Sequence, residues 1–269
     1  MRKMTMMLML SVAVLLVAAS AQAALVSHFA MNENTGTTTA DSVAGNDGGT
    51  LTANVGWSTD TPDSSTSSLS FPDFSTAGSY VSVSGSTPGT YVSPTSAFSV
   101  SVWFKTDDIT GSGGNKYPTL ATLSSSTGNA FQIVLSAVTG SPGYAGICIG
   151  SAGSTFARLR TTDIADPEAT LGDNKWHNVI VSFDGEDATA ASSYAIYLDD
   201  VSRTLGAASN FGSVNNSDLV IGGVAGRSDT NFNGLIDDLK VYDTVIPEPA
   251  TMSLLGIGGL LALVRRRRK

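Results

Sequence analysis

The sequence predicts an all-β protein of two antiparallel sheets packed face to face, with a signal helix before them and a short membrane helix after them. Three observations predict it. Short runs of alternating apolar and polar residues recur across residues 24–243, and no long segment there has a helical period. Gly, Asn, Asp, Ser and Pro clusters punctuate those runs at turn positions. The two ends, in contrast, each carry an apolar run beside basic residues.

At the start, Arg2-Lys3 is a positive n-region and Met6 to Ala19 is almost unbroken apolar sequence. Ala21-Gln22-Ala23 fits the small-x-small cleavage rule, so residues 1–23 read as a signal peptide and Ala24 as the mature start. The body, 24–243, reads as strands in one domain. Phe98, Val100, Val102 and Phe104 alternate with Ser99, Ser101 and Trp103. Phe131, Ile133 and Leu135 alternate around Gln132 and Val134. His177, Val179, Val181 and Phe183 share one face, with Trp176 and Ile180 on the other. Tyr194, Ile196 and Leu198 share a face before Asp199-Asp200, and Leu219-Val220-Ile221 ends at Gly222-Gly223. On the last strand, strict alternation puts Leu235, Asp237, Leu239 and Val241 on one face and Ile236, Asp238, Lys240 and Tyr242 on the other. Turns are expected at 112–115, 141–143, 184–185 and 233–234, and a Ser/Thr/Asp-rich surface loop at 58–70.

The end, residues 244–269, has three parts in order: Pro247-Glu248-Pro249, the apolar run 250–264, and the basic cluster Arg265, Arg266, Arg267, Arg268 and Lys269. As a helix the apolar run spans roughly 22 Å, short against a bilayer core of about 30 Å. The basic cluster holds its own end in the cytoplasm, so the body lies on the far side of the membrane. These parts resemble the PEP-CTERM sorting signal of Gram-negative bacteria. The resemblance implies transient insertion in the inner membrane and processing by an exosortase near Pro-Glu-Pro. Release or attachment at the cell surface or extracellular polymer matrix would follow.

A second resemblance spans the body. It is carried by His28-Phe29, Glu33-Asn34-Thr35-Gly36, Ala40-Asp41-Ser42 and the glycine-rich 45–51 segment. Phe98 to Lys105, Asn174-Lys175-Trp176-His177-Asn178-Val179, Ile196-Tyr197-Leu198-Asp199-Asp200, Val220-Ile221-Gly222-Gly223 and Phe232 to Tyr242 follow in order. Together they resemble the LamG-like jelly rolls of the concanavalin A-like lectin and glucanase fold. Asp200 departs from the pattern, which usually has Gly there.

Charge narrows the partners. Seven of the 15 basic residues lie in the terminal segments, so the body keeps eight against 22 acidic residues, a formal charge of −14. A nucleic-acid partner is not expected, because phosphate binding needs a basic surface. Divalent cations suit so many carboxylates, although acidity also keeps an exported protein soluble. Cys148 is the one cysteine and reads as a small core residue; His28 and His177 are far apart, leaving little from which to build a zinc site.

Asp237 is the expected metal ligand. A carboxylate on an apolar strand face is costly unless it is paired, hydrogen-bonded or bound to a cation. Calcium takes carboxylates and carbonyls, and the jelly-roll resemblance implies a calcium between the first and last strands with Asp237 as ligand. Asp41 is the second candidate. The alternatives are that Asp237 caps local N–H groups and that Asp41 shapes a turn.

Catalysis is not expected. Of the body's glutamates, Glu33, Glu168 and Glu186, none starts the Glu-x-Asp-x-Glu strand of related glucanases, and there is no Gly-x-Ser-x-Gly elbow. His177 reads as a packed core histidine. Loop aromatics that would suit a sugar are Trp57, Tyr91, Tyr117, Tyr144 and Phe232, whereas Trp103 and Trp176 are expected to be buried. The expected function is an exported, non-catalytic module binding polysaccharide or a surface partner. A purely structural matrix protein and a polysaccharide-cleaving hydrolase are the alternatives.

Overall fold

Alternation builds the centre of the fold. Strands are numbered in chain order. In β7 (Phe98–Lys105), Phe98, Val100, Val102 and Phe104 point inward and are buried. β12 (Trp176–Phe183) lies antiparallel beside it in unbroken register from Trp176 opposite Lys105 to Phe183 opposite Phe98. A computed structural model describes residues 23–246 apart from 53, 73–77, 84–95, 111–116, 125–130, 138–144, 151–157, 188–189, 207–217, 226 and 228–229. The signal peptide up to residue 22, the tail from Pro247 with its apolar run 250–264, and the predicted turns at 112–115 and 141–143 lie outside the described residues. Among the described residues no helix is long and apolar enough to cross a membrane.

The described strands of the Leu25–Val245 unit form two antiparallel sheets. The first runs β14 (Val201–Arg203), β13 (Tyr194–Leu198), β12, β7, β17 (Gly234–Tyr242), β5 (Ser68–Phe71), β4 (Gly56–Ser58), with β1 (Leu25–Phe29) also paired to β17. The second runs β15 (Leu205–Gly206), β11 (Arg158–Thr161), β10 (Gly146–Gly150), β9 (Phe131–Ser136), β8 (Thr119–Ser124), β16 (Asp218–Ile221), β6 (Val81–Val83), β3 (Gly49–Leu51), β2 (Thr38–Thr39). One short helix, α1 (Pro167–Leu171), starts at Asp166, whose side chain accepts the Ala169 amide, and tucks Leu171 into the core.

One cluster of buried side chains from both sheets forms the core. Phe98 meets Phe131 edge-to-face across the sandwich at 5.0 Å, and its neighbour in the same sheet, Phe183, tilted at 5.6 Å. Each such buried side chain contributes roughly 2–3 kcal/mol. Cys148 is buried in β10.

Two expectations change here. Asn233-Gly234 is not a hairpin turn: Gly234 opens β17 at φ 133°, and a Cβ there would lie 2.1 Å from the Lys105 carbonyl oxygen. Glycine is what lets β17 approach β7 this closely. The faces of β17 also differ from strict alternation. Asp237 stands opposite Trp103 and Lys240 opposite Ser101, so two residues of β17 face Val102 alone. The extra residue is a β-bulge, with Asp238 at φ 49°. Ile236, Leu239 and Val241 therefore all face the core. Asp237 turns to the outer face with Leu235, the partner of Lys105, and with Lys240, the partner of Ser101. The bulge lies where β17 changes neighbour, from β5 at Gly234–Ile236 to β1 at Leu239–Tyr242.

Candidate functional site

The chemistry collects on the outer face of the first sheet and at its rim. Asp237 is there, fully buried although it does not face the core. The segment between β4 and β5 covers it: Ser65 Oγ donates to Asp237 Oδ2 at 2.9 Å, and the Asp238 amide donates to Oδ1 at 2.8 Å. Burial pushes the carboxyl up to about 7 against those two hydrogen bonds, and the charges of Asp238 and Asp63 add to the rise. Asp237 makes no ion pair among the described residues. The predicted 58–70 loop is thus shorter, 59–67 between the two strands, and it roofs the carboxylate. Beside it the Thr66 amide donates to Asn32 Oδ1, and Ser67 Oγ donates to the carbonyl of Met31.

Asp41 has a different task. Its Oδ1 accepts the amides of His28 and Val43, and its Oδ2 accepts the Ser27 hydroxyl and the Asn46 side-chain amide. A carboxylate has about four lone-pair sites, and these donors fill them. Asp41 pins the 41–46 loop to β1. No contact joins it to Asp237, and no group of three metal-ligating side chains occurs among the described residues.

That pinned loop brings together three residues distant in sequence. Ser42 Oγ lies 2.9 Å from His28 Nδ1, and His28 Nε2 lies 2.7 Å from Asp238 Oδ1. Lys240 Nζ donates to the other Asp238 oxygen. Burial opposes charge on Asp238, but the bonds from His28 and Lys240 win and hold its carboxyl below the usual range.

A third cluster surrounds two tryptophans. Trp103 and Trp176 are half-buried, not buried as expected, because alternation sends Phe104 and His177 inward and leaves both indoles outside. Trp176 pairs with Lys105, and Trp103 with Asn178, so the two residues are diagonal neighbours on the sheet, roughly 7–8 Å apart along the backbone. The Trp176 indole N–H donates to Asp60 Oδ1 at 2.8 Å, and Lys105 Nζ donates to Oδ2 at 2.6 Å. The bond from Lys105, then that from Trp176, keeps the Asp60 carboxyl low. Of the loop aromatics, Trp57 lies in β4 and packs against the core, its indole N–H donating to the Gly36 carbonyl. Phe232 is fully buried edge-on to Phe71 at 6.0 Å. Tyr117 is half-buried; Tyr91 and Tyr144 lie outside the described residues.

His177 is buried but is more than packing. Its Nδ1 meets Asp199 Oδ2 at 2.8 Å and its Nε2 meets Asp173 Oδ1 at 3.0 Å. Two carboxylates require two N–H donors, so the ring is an imidazolium. Burial opposes that charge, but the bonds with Asp199 and Asp173 raise its pKa above 6.5. Asp173 in turn is held at about 2: burial raises it, but bonds from Lys175 and His177 win. Asp199 and Asp200 turn the β13–β14 hairpin at φ 51° and 63°, where glycine is easier. Asp199 offsets that strain by accepting both the ring and the Asn178 amide.

Two antiparallel sheets packed face to face in this order form a jelly-roll sandwich. The chain belongs to the concanavalin A-like lectin/glucanases superfamily, whose family model matches residues 74–249. Residues 245–269 match the PEP-CTERM protein-sorting motif, which implies export, surface localisation and processing by exosortase-type machinery. No curated protein matches. Among solved structures, domain 4 of AbnA, a GH43 extracellular arabinanase from Geobacillus stearothermophilus, is similar at TM-score 0.57 and 21% identity, covering 87% of this chain and 99% of that one. The binding domain of Paraclostridial Mosquitocidal Protein 1 is similar at TM-score 0.59 and 14% identity, covering 86% of this chain and 51% of that one. The botulinum neurotoxin serotype D binding domain is similar at TM-score 0.55 and 13% identity, covering 86% and 50%. The chain spans about half the length of these toxin domains. At these identities the likeness shows the fold.

The raised pKa values set a pH dependence. His177 lies above its ordinary value of 6.5, so its contribution is complete below that pH and is lost as pH rises through the folded value. Asp237, moved from 3.8 to about 7, has the same sign: stability falls across that window as it ionises inside the fold. In chelator, melting temperature is expected to fall in two stages as pH rises from 4 to 9. Asp237→Asn flattens the first and His177→Gln the second, each by a few kcal/mol or less, at roughly 2–4 °C per kcal/mol. Melting curves against pH check this; a His177→Gln profile identical to the parent above pH 6.5 would contradict it.

Proposed function

We propose that the chain is an exported, non-catalytic module that binds an extracellular carbohydrate polymer through the outer face of its first sheet, with calcium held at Asp237. The carrying observation is the pair Trp103 and Trp176, side by side and outward on two central strands. Indole faces suit the apolar face of a sugar ring, and their N–H edges supply polar contacts. Asn178 and Ser101 stand beside them, with Asn178 Nδ2 donating to Ser101 Oγ at 3.3 Å. Lys105 is neutralised by Asp60 and Lys240 by Asp238, so this face carries little net charge on an acidic body. An uncharged glycan suits it better than an anionic one.

Structures of similar fold support a carbohydrate ligand in general. The arabinanase domain was solved with arabinotriose, and a botulinum neurotoxin serotype D domain with N-acetylneuraminic acid. The sorting motif supports a location at the cell surface or in extracellular polymer, reached through the inner membrane.

Calcium fits Asp237. The carboxylate is fully buried, has neutral donors only, and sits near the Asp63 charge. A hard cation would reverse its raised pKa and draw oxygen ligands from Asp237, Asp63 and the adjoining loop. Asp41, saturated by its four donors, is not part of that set.

The test is binding of residues 24–245 to a panel of bacterial and plant polysaccharides, with calcium and with chelator. Saturable binding is expected, weakened about tenfold or more by Trp103→Ala or Trp176→Ala, as for loss of a buried aromatic anchor. Calcium is expected to raise the melting temperature of the parent but not of Asp237→Ala. Absence of binding across the panel would move the reading to a structural matrix role. Separately, the intact mass of the native exported protein is expected to lack Arg265–Lys269; retention of Lys269 would reject processing.

A further inference from the structure

The loop after β1 holds an exposed serine against a histidine whose far nitrogen meets a carboxylate, and neither the family nor the proposed binding face accounts for it. Ser42, His28 and Asp238 come from three separate stretches of chain, and their polar atoms are 2.9 Å and 2.7 Å apart. Asp238 takes Lys240 Nζ on one oxygen and meets His28 Nε2 with the other, so an Nε2–H donates to it and, in the neutral ring, the lone pair lies on Nδ1, facing the Ser42 hydroxyl. That is the tautomer a general base needs. The surroundings fix it further. Asp41 grips the loop through the Val43 amide and grips β1 through the His28 amide. The β-bulge aims Asp238, and Lys240 holds its second oxygen. The His28 and Asp238 side chains are 20% and 22% exposed, and Ser42 is exposed, so a small reagent reaches the hydroxyl.

We infer that Ser42 is an activated nucleophile and the acylation site of this protein, taking an acyl group from an activated ester. Ser42 Oγ attacks the ester carbonyl carbon while its proton passes to His28 Nδ1. The bond to the leaving alcohol breaks, and the departing oxygen takes that proton from Nδ1. The product is an ester on Ser42 and a free alcohol, with His28 neutral again. Asp238 is a positioning residue: it keeps the proton on Nε2. The same geometry limits turnover. The Ser42 amide donates to the His28 carbonyl at 2.8 Å and the Val43 amide to Asp41 at 2.8 Å, so neither is available to stabilise an oxyanion. The site is therefore one that becomes acylated and stays so, not a fast esterase.

The test treats the purified exported chain with a fluorophosphonate probe and with p-nitrophenyl acetate, and reads modified serines by peptide mass spectrometry. Ser42 is expected to react roughly a hundredfold faster than the exposed serines Ser64 and Ser202, within the range a positioned base supplies. Ser42→Ala abolishes that labelling. His28→Ala lowers it to the level of the other serines, and added imidazole restores it, a rescue that a purely structural histidine would not show. In Asp238→Asn, imidazole nitrogen chemical shifts report loss of the fixed Nε2–H tautomer together with slower labelling. Labelling of Ser42 at the rate of Ser64 and Ser202 in the folded parent chain would overturn the assignment, as would His28→Ala labelling at the parental rate.

Discussion

The β-bulge at Asp237–Asp238 is the constraint on which the rim of the sandwich depends. It inserts one residue where β17 passes from β5 to β1. The core does not need it: Ile236, Leu239 and Val241 would face inward in a regular strand lacking Asp238. What the extra residue supplies is a second carboxylate. One oxyacid is turned under the 59–67 loop, and the next is turned to His28 and Lys240. Aspartate tolerates the left-handed backbone this demands, at a cost on the order of 1–3 kcal/mol. The Asp238 amide, donating to Asp237, offsets part of it.

The charged groups of this sheet differ in how their charge is balanced, and that separates their roles. Asp60 and Asp238 have lysine partners and stay ionised. His177 is clamped between Asp173 and Asp199 and acts as a bolt between the β12 entry and the β13–β14 hairpin. Asp237 is fully buried with only two neutral donors, which is why burial raises its pKa and why a cation suits it. The tryptophans lie between these groups, presenting apolar surface framed by neutralised charge.

Much of the fold was legible in the sequence because alternation and burial agree there. β7, β9, β12 and β13 place in the core the residues that alternation assigns to it, although β9 is buried on both faces. β17 did not yield to the same logic, since a bulge shifts the period by one and leaves no mark except a residue tolerant of positive φ. Trp103 and Trp176 stand outside although their hydrophobicity argues for burial, because alternation puts Phe104 and His177 on the core face instead. Asp237 was legible as a costly carboxylate, but its loop roof was not. The grouping of Ser42, His28 and Asp238 depends on the β1–β17 pairing and on Asp41 pinning a loop, neither of which has a local signature.

The most direct test of the account is a chain lacking Asp238 alone, in which β17 regains strict alternation with every core residue on its present face. Fluorophosphonate labelling of Ser42 in that chain, with cooperative unfolding checked alongside, separates a bulge kept for its carboxylate from one kept for packing. The expected result is a folded protein in which Ser42 reacts no faster than other exposed serines. A chain that fails to fold, or one that folds and labels Ser42 at the parental rate, would contradict it.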